Sequence, residues 1–179
     1  MDRFRRLIGV LMVFAVAGAV VLVVVVRPGL RSDEESVDKS WSPLVTPLDA
    51  RYRALEAVVP QLKLSGAGSR AATVGLVQLL NRWHVVRAGT DSDEQVRTAN
   101  RIEATAARIG ALTRTARLVK LPALQQTYAT FAKARPTPVV LDRYTRAVDT
   151  YQSRRDGFWS RIVAGLDGYS MRPTLQLVG

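Results

Sequence analysis

Side chains that could do chemistry are few and scattered along this chain. His84 is the only histidine, and it follows Trp83 on a stretch with helical patterning, which points to a packing or surface role and not to a ligand. Cysteine is absent, so disulfides, thiolate nucleophiles and thiolate-bound zinc are excluded together. Asp142, Asp149 and Asp156 recur every seven residues. On a helix, neighbours in that series stand roughly 10 Å apart along the axis, too far to share an ion. Asp142 with Arg146 reads instead as a surface pair one turn apart. Serines occur with no histidine placed by a nucleophile motif, and neither a glycine-rich phosphate loop nor a GxSxG elbow is present. Tyr144 and Tyr151, one heptad apart, read as core-edge aromatics. The expectation is a non-enzyme with no catalytic, cofactor-binding or metal-binding residue.

Charge is the more telling property. The formal net charge is +11, and the chain stays basic when the arginines at its N-terminal end are set aside. That balance favours anionic lipid or acidic polymers as partners, although charge alone specifies neither fold nor site. No nucleic-acid motif accompanies it, which argues against specific nucleic-acid binding. Arg97, Arg101 and Arg108 fall approximately opposite the apolar stripe of a long helix. They read as a solvated face and as the candidate face for lipid or a partner.

The elements that carry these residues begin with an apolar run. Leu7 to Val26 is twenty residues without a polar side chain, enough at ~1.5 Å per residue to cross a hydrocarbon layer of roughly 30 Å. A cleaved signal peptide is the rival reading, since Ala15-Val16-Ala17 imitates a cleavage site, but apolar residues continue for nine positions beyond Ala17. Arg3, Arg5 and Arg6 precede the run, and Arg27 and Arg31 follow it. This distribution predicts a single span with a cytoplasmic N-terminus and an extracytoplasmic domain. Pro28-Gly29 is read as punctuating the end of the span.

Beyond the run the pattern is helical throughout. Trp41, Leu44, Leu48, Tyr52, Leu55, Val59 and Leu62 recur at steps of three and four, with Pro43 and Pro47 either starting or kinking that helix. Leu76, Leu79, Leu80, Trp83 and Val86 mark a second helix. The strongest period runs from Glu94 through Lys120, with Val96, Ala99, Ile102, Ala106, Ile109, Leu112, Ala116 and Val119 on one stripe and a length of roughly 40 Å. A short helix follows Pro122. A last stripe carries Leu141, Tyr144, Val148, Tyr151, Phe158 and Ile162. No alternation with a period of two occurs, so strands are not expected.

Three blocks of residues resemble the LemA family of single-span membrane proteins with a helical-bundle domain. VDKSWSPLVTPLDARYRAL is similar to the family's Trp, Leu and Arg-Tyr pattern, here Trp41, Leu48, Arg51 and Tyr52. Leu121-Pro122-Ala123-Leu124 is similar to its proline-marked junction. RYTRAVDTYQSRRDGFWSRIVAGLDGY, which contains Tyr144, resembles the closing helix with its tail, here Ala164, Gly165, Leu166, Gly168 and Tyr169. The chain departs from the family pattern at Glu56 and Trp159, where prolines are usual, and at Thr145 and Gln152, where asparagines are. The resemblance implies an all-α protein in which an N-terminal transmembrane helix is followed by an antiparallel bundle of about four helices. Its segments would be a short basic stretch (1–6), the span (7–26), a linker (27–36) and the bundle domain (37–179). It implies no reaction and no cofactor. The expected role is a membrane-anchored scaffold or interaction module with a protein partner, the alternative being a basic domain lying on anionic lipid headgroups. Phe158 is expected in the core, and Ala164 to Tyr169 as a non-helical tail.

Overall fold

The computed structural model describes residues 12, 17, 18, 20, 22–68, 70–114 and 121–178. Among them every regular element is helical and no strand occurs. A π-helical stretch, Leu22–Val26, leads directly into α1 (Arg27–Glu56), followed by α2 (Val58–Leu64), α3 (Ala71–Val86), α4 (Ser92–Thr113), α5 (Pro122–Lys133), α6 (Pro138–Arg155) and α7 (Phe158–Asp167). The expected membrane span lies for the most part outside the described residues, and among those described no helix is long and apolar enough to cross a membrane.

Residues 27–36, expected as a linker, are the opening turns of α1. Pro28 sits in the first turn, where a missing N–H is tolerated best. The same helix continues through Pro43 and Pro47. Each proline removes one backbone hydrogen bond, but Leu44 and Leu48 beside them are fully buried, and packing offsets the loss.

The chain divides into two compact units, one made of Met1–Asp38 with Arg146–Arg172 and the other of Lys39–Thr145 with Pro173–Gly179. In the larger unit α3 packs along α4, and α2 and α5 pack on each other. Leu76, Leu80, Trp83, Val96, Ala99, Ile102, Ala106 and Ile109 are buried there as their spacing predicts, together with Trp41 and Tyr144. Asp91 caps α4 by accepting a hydrogen bond from the Glu94 N–H at 3.0 Å. The helix ends at Thr113, not at Lys120. The Arg114 N–H folds back to the carbonyls of Ala111 and Leu112, and Ala116 and Val119 lie outside the described residues. Gly110 lets Tyr128 of α5 close on α4, where its hydroxyl donates to the Ala106 carbonyl at 3.0 Å.

In the smaller unit Leu30, Val37, Val148, Tyr151, Val163 and Ala164 are buried. Two expectations fail here. Phe158 is 73% exposed, because Asp156-Gly157 breaks the closing stripe and α7 starts afresh with its own orientation. Ala164 to Asp167 is helical, and the non-helical tail begins only after Gly168, whose φ of 75° ends the helix in a left-handed turn open to glycine. The tail is tied down all the same. Tyr151 Oη donates to the Ser170 carbonyl at 2.8 Å, Gln152 Nε2 to that of Arg172 at 2.8 Å, and Arg155 Nε to that of Tyr169 at 3.1 Å.

Ile109 is fully buried and Arg108 is exposed. Ile109→Ala is therefore expected to cost ~2–5 kcal/mol in denaturant unfolding, whereas Arg108→Ala is expected to stay within about 0.5 kcal/mol. Equal shifts for the two would overturn the assignment of helix faces.

Candidate functional site

The positions that carry the resemblance fall into two sets. Trp41, Leu48, Arg51, Tyr52 and Tyr144 are all buried in the larger unit. Trp41 Nε1 donates to Gln95 Oε1 at 2.5 Å, and its ring lies 5.3 Å from that of Tyr144. Tyr52 meets Trp83 edge to face at 5.0 Å. Pro122 opens α5 and is exposed. In the smaller unit Ala164 is buried and the Tyr169 N–H reaches its carbonyl at 3.1 Å, while Gly165 and Leu166 are exposed.

Arg51 is fully buried, and every one of its N–H donors has an acceptor. Nε and Nη2 grip the two Glu103 oxygens at 2.8 and 2.9 Å. Nη1 donates to the carbonyls of Phe131 at 2.8 Å and Ala134 at 3.0 Å, and Nη2 to that of Val178 at 3.1 Å. The guanidinium lies 3.9 Å from the centroid of the Phe131 ring. Glu103 Oε2 also accepts the Val178 N–H at 3.0 Å. Alongside, Asn100 accepts the Gln176 N–H at 2.8 Å and donates to the Thr174 carbonyl at 2.7 Å, and Tyr144 Oη donates to that of Pro173 at 2.6 Å. The charged pair therefore has no free valence for a substrate. It is structural: it binds the end of the described chain to α1, α4 and α5. Nothing in the spacing of the sequence joined Arg51 to Glu103, though each sits where a helix stripe would place an apolar residue, at Leu48 plus three and Ala99 plus four.

The open site lies elsewhere in this unit. A groove of about 710 Å³ between α3 and α4 is lined by Gly75, Gln78, Leu79 and Arg82 from one helix and by Glu94, Arg97, Arg101 and Arg108, with Thr98, Ala104 and Thr105 between them, from the other. Gly75 leaves open space where a side chain would stand. The expected face of Arg97, Arg101 and Arg108 is thus gathered into a concave surface, joined by Arg82, which the sequence reading had not singled out. A fit of Arg82 to that face was readable only once α3 was known to lie beside α4.

Arg82 is paired with Glu94, the one acid in the groove. Among the described residues Arg97, Arg101 and Arg108 have no carboxylate partner, so the groove holds an excess of three positive charges spread over roughly 16 Å of α4. Like charges one turn apart, as in Arg97 and Arg101, oppose helix formation by a few tenths of a kcal/mol. An anionic ligand would reverse the sign of that contribution. The lining offers donors and charge but no nucleophile set against a base. His84 is exposed on α3 and contacts Glu56 Oε1 at 2.5 Å. Among the described residues no group of acidic or histidine side chains could hold a metal ion.

The chain matches no protein-family model, and no curated protein or solved structure matches it either.

Two outcomes are expected from the buried cluster. Arg51→Ala should cost ~3–5 kcal/mol by leaving Glu103 buried without its partner, and Arg51→Met with Glu103→Leu should cost less than the sum of the two single losses; strict additivity in urea unfolding would show that the pair is uncoupled. Burial, reinforced by the Glu103 charge, also holds the Tyr52 hydroxyl well above its ordinary value of 10.0. The folded state then keeps a proton that the unfolded state releases, so this stability is present below pH 10 and falls as pH rises beyond it. Tyr52→Phe should make that alkaline loss shallower without abolishing it, because burial also raises Tyr128. An unchanged slope of unfolding free energy against pH would contradict the assignment.

Proposed function

We propose that this chain is a membrane-anchored, non-catalytic interaction module of the LemA type, an antiparallel bundle of about four helices tethered by the run Leu7 to Val26. In this reading the N-terminus is cytoplasmic, the bundle is extracytoplasmic, and an acidic segment of a protein partner occupies the groove between α3 and α4. The observation that carries it is the groove itself: Arg97, Arg101 and Arg108 are concentrated in one concavity, with no carboxylate partner among the described residues. A concave surface with converging donors suits docking of a shaped ligand more than adhesion to a flat one. Arginine is the side chain best fitted to bind carboxylates in pairs.

The second reading rests on the same arginines. Guanidinium groups bind phosphate as readily as carboxylate, so anionic lipid headgroups beside the anchor are the alternative ligand. A benzophenone side chain in place of Ala104, photolysed in native membranes, separates the two. A discrete protein adduct that falls about tenfold or more in Arg97→Glu/Arg101→Glu/Arg108→Glu is the expected outcome. Adducts confined to lipid would establish the alternative, and no adduct would remove the groove as a contact surface.

A further inference from the structure

The smaller unit carries an apolar face that its own fold leaves uncovered. On α7 the buried side is made by Ser160, Val163 and Ala164, whereas Phe158, Trp159, Ile162 and Leu166 are 73%, 46%, 40% and 79% exposed. Single apolar residues on a surface are ordinary, but four large ones on a ten-residue helix form a patch. Its neighbour in the unit is the end of the apolar run. α7 packs against Leu22–Val26, and a side-chain carbon at Gly18 would meet the Trp159 ring at 3.8 Å. At the other end Arg27 clamps Asp167 through two hydrogen bonds of 2.8 and 2.6 Å. From Gly18 to Arg27 is nine residues and from Trp159 to Asp167 eight, so α7 runs parallel to the last turns of the run and in step with them.

We propose that α7 is a second membrane contact, whose Phe158, Trp159, Ile162 and Leu166 insert among lipid acyl chains beside the N-terminal run. This inference rests on that run being the membrane anchor. If Arg27 marks the aqueous boundary, the step of the two helices places Trp159 roughly 12 Å to the lipid side of it. Valines next to the patch belong to the same surface chemistry, since Val24 and Val25 are each 64% exposed and Val20 is 54% exposed. Of the two charges on α7 one is paired and the other is exposed. Asp167 is bound by Arg27, and Arg161 Nη2 donates to the Asp156 carbonyl at 2.9 Å. An amphipathic helix with an aromatic-rich face and a long basic side chain at its edge is the form that a membrane interface accepts. Lipid is favoured over a protein occupant because the patch continues the apolar surface of the run.

Tryptophan fluorescence reads this directly, because Trp41 and Trp83 are 2% and 1% exposed in the other unit and Trp159 is the one exposed indole among the described residues. The full chain is reconstituted into phosphatidylcholine–phosphatidylglycerol vesicles with and without brominated acyl chains, beside Trp159→Phe. Brominated lipid is expected to remove most of the emission that Trp159→Phe removes, and aqueous acrylamide to leave it unquenched. Quenching by acrylamide and not by bromine would put the face in water and overturn the proposal. Quenching by neither would mean that protein, such as a second copy, covers it, which also overturns it. Alkaline carbonate applied to the same vesicles tests the anchor separately: release of the chain would defeat both readings, whereas retention with unquenched Trp159 defeats only this one.

Discussion

A guanidinium taken out of water must recover all of its hydrogen bonds within the protein, or its burial costs more than any single contact returns. Arg51 meets that requirement with the two oxygens of Glu103 and the carbonyls of Phe131, Ala134 and Val178. The need for complete satisfaction is what fixes so many elements at once. The C-terminal end of α5 must present two carbonyls, the tail must reach back along α4, and α1 must hold its register with Leu48 and Tyr52 beside the charge. A lysine could supply the charge but not the planar fork.

The two units are held by different physics. The larger one has its ion pair in the core, with the Phe131 ring against the guanidinium and Trp41, Tyr52, Trp83 and Tyr144 buried in the same unit. The smaller one is laced by pairs nearer the surface, Arg27 with Asp167, Arg154 with Asp33 and Arg172 with Glu34, which join the opening turns of α1 to the last helices and the tail. Such pairs contribute modestly where water reaches them, so their value lies in register more than in strength. The acids after the apolar run thus serve as counterions to late arginines.

Much of the larger unit was legible because a steady step of three and four leaves one way to bury a stripe. Val96, the small Ala99 and Ala106, and Ile102 and Ile109 all lie where that step puts them. Legibility ended where one residue interrupts a pattern that resumes on a new helix. Phe158 and Ile162 continue the spacing of Tyr144 and Tyr151, but Gly157 turns the axis between them, and spacing carries no record of that turn. Pro43 and Pro47 left the start of that helix open in the sequence, and buried leucines carry α1 through both of them. The groove was half legible: the arginines of α4 share a face by period alone, but their convergence with Arg82 depends on how α3 lies beside them. Arg51 with Glu103, 52 residues apart, needed the tertiary structure.

The tail has a consequence for how the chain is made. Val178 stands 127 residues after Arg51 and 75 after Glu103, yet it supplies an acceptor to one and a donor to the other. On a ribosome that releases about 5–20 residues each second, both charges emerge several seconds before the backbone that completes their shell. During that interval α1 and α4 can form, but the centre between them holds an ion pair that is still short of partners. Closure of the core is therefore set by the arrival of the tail, and assembly of the larger unit waits on a contact made far along the chain.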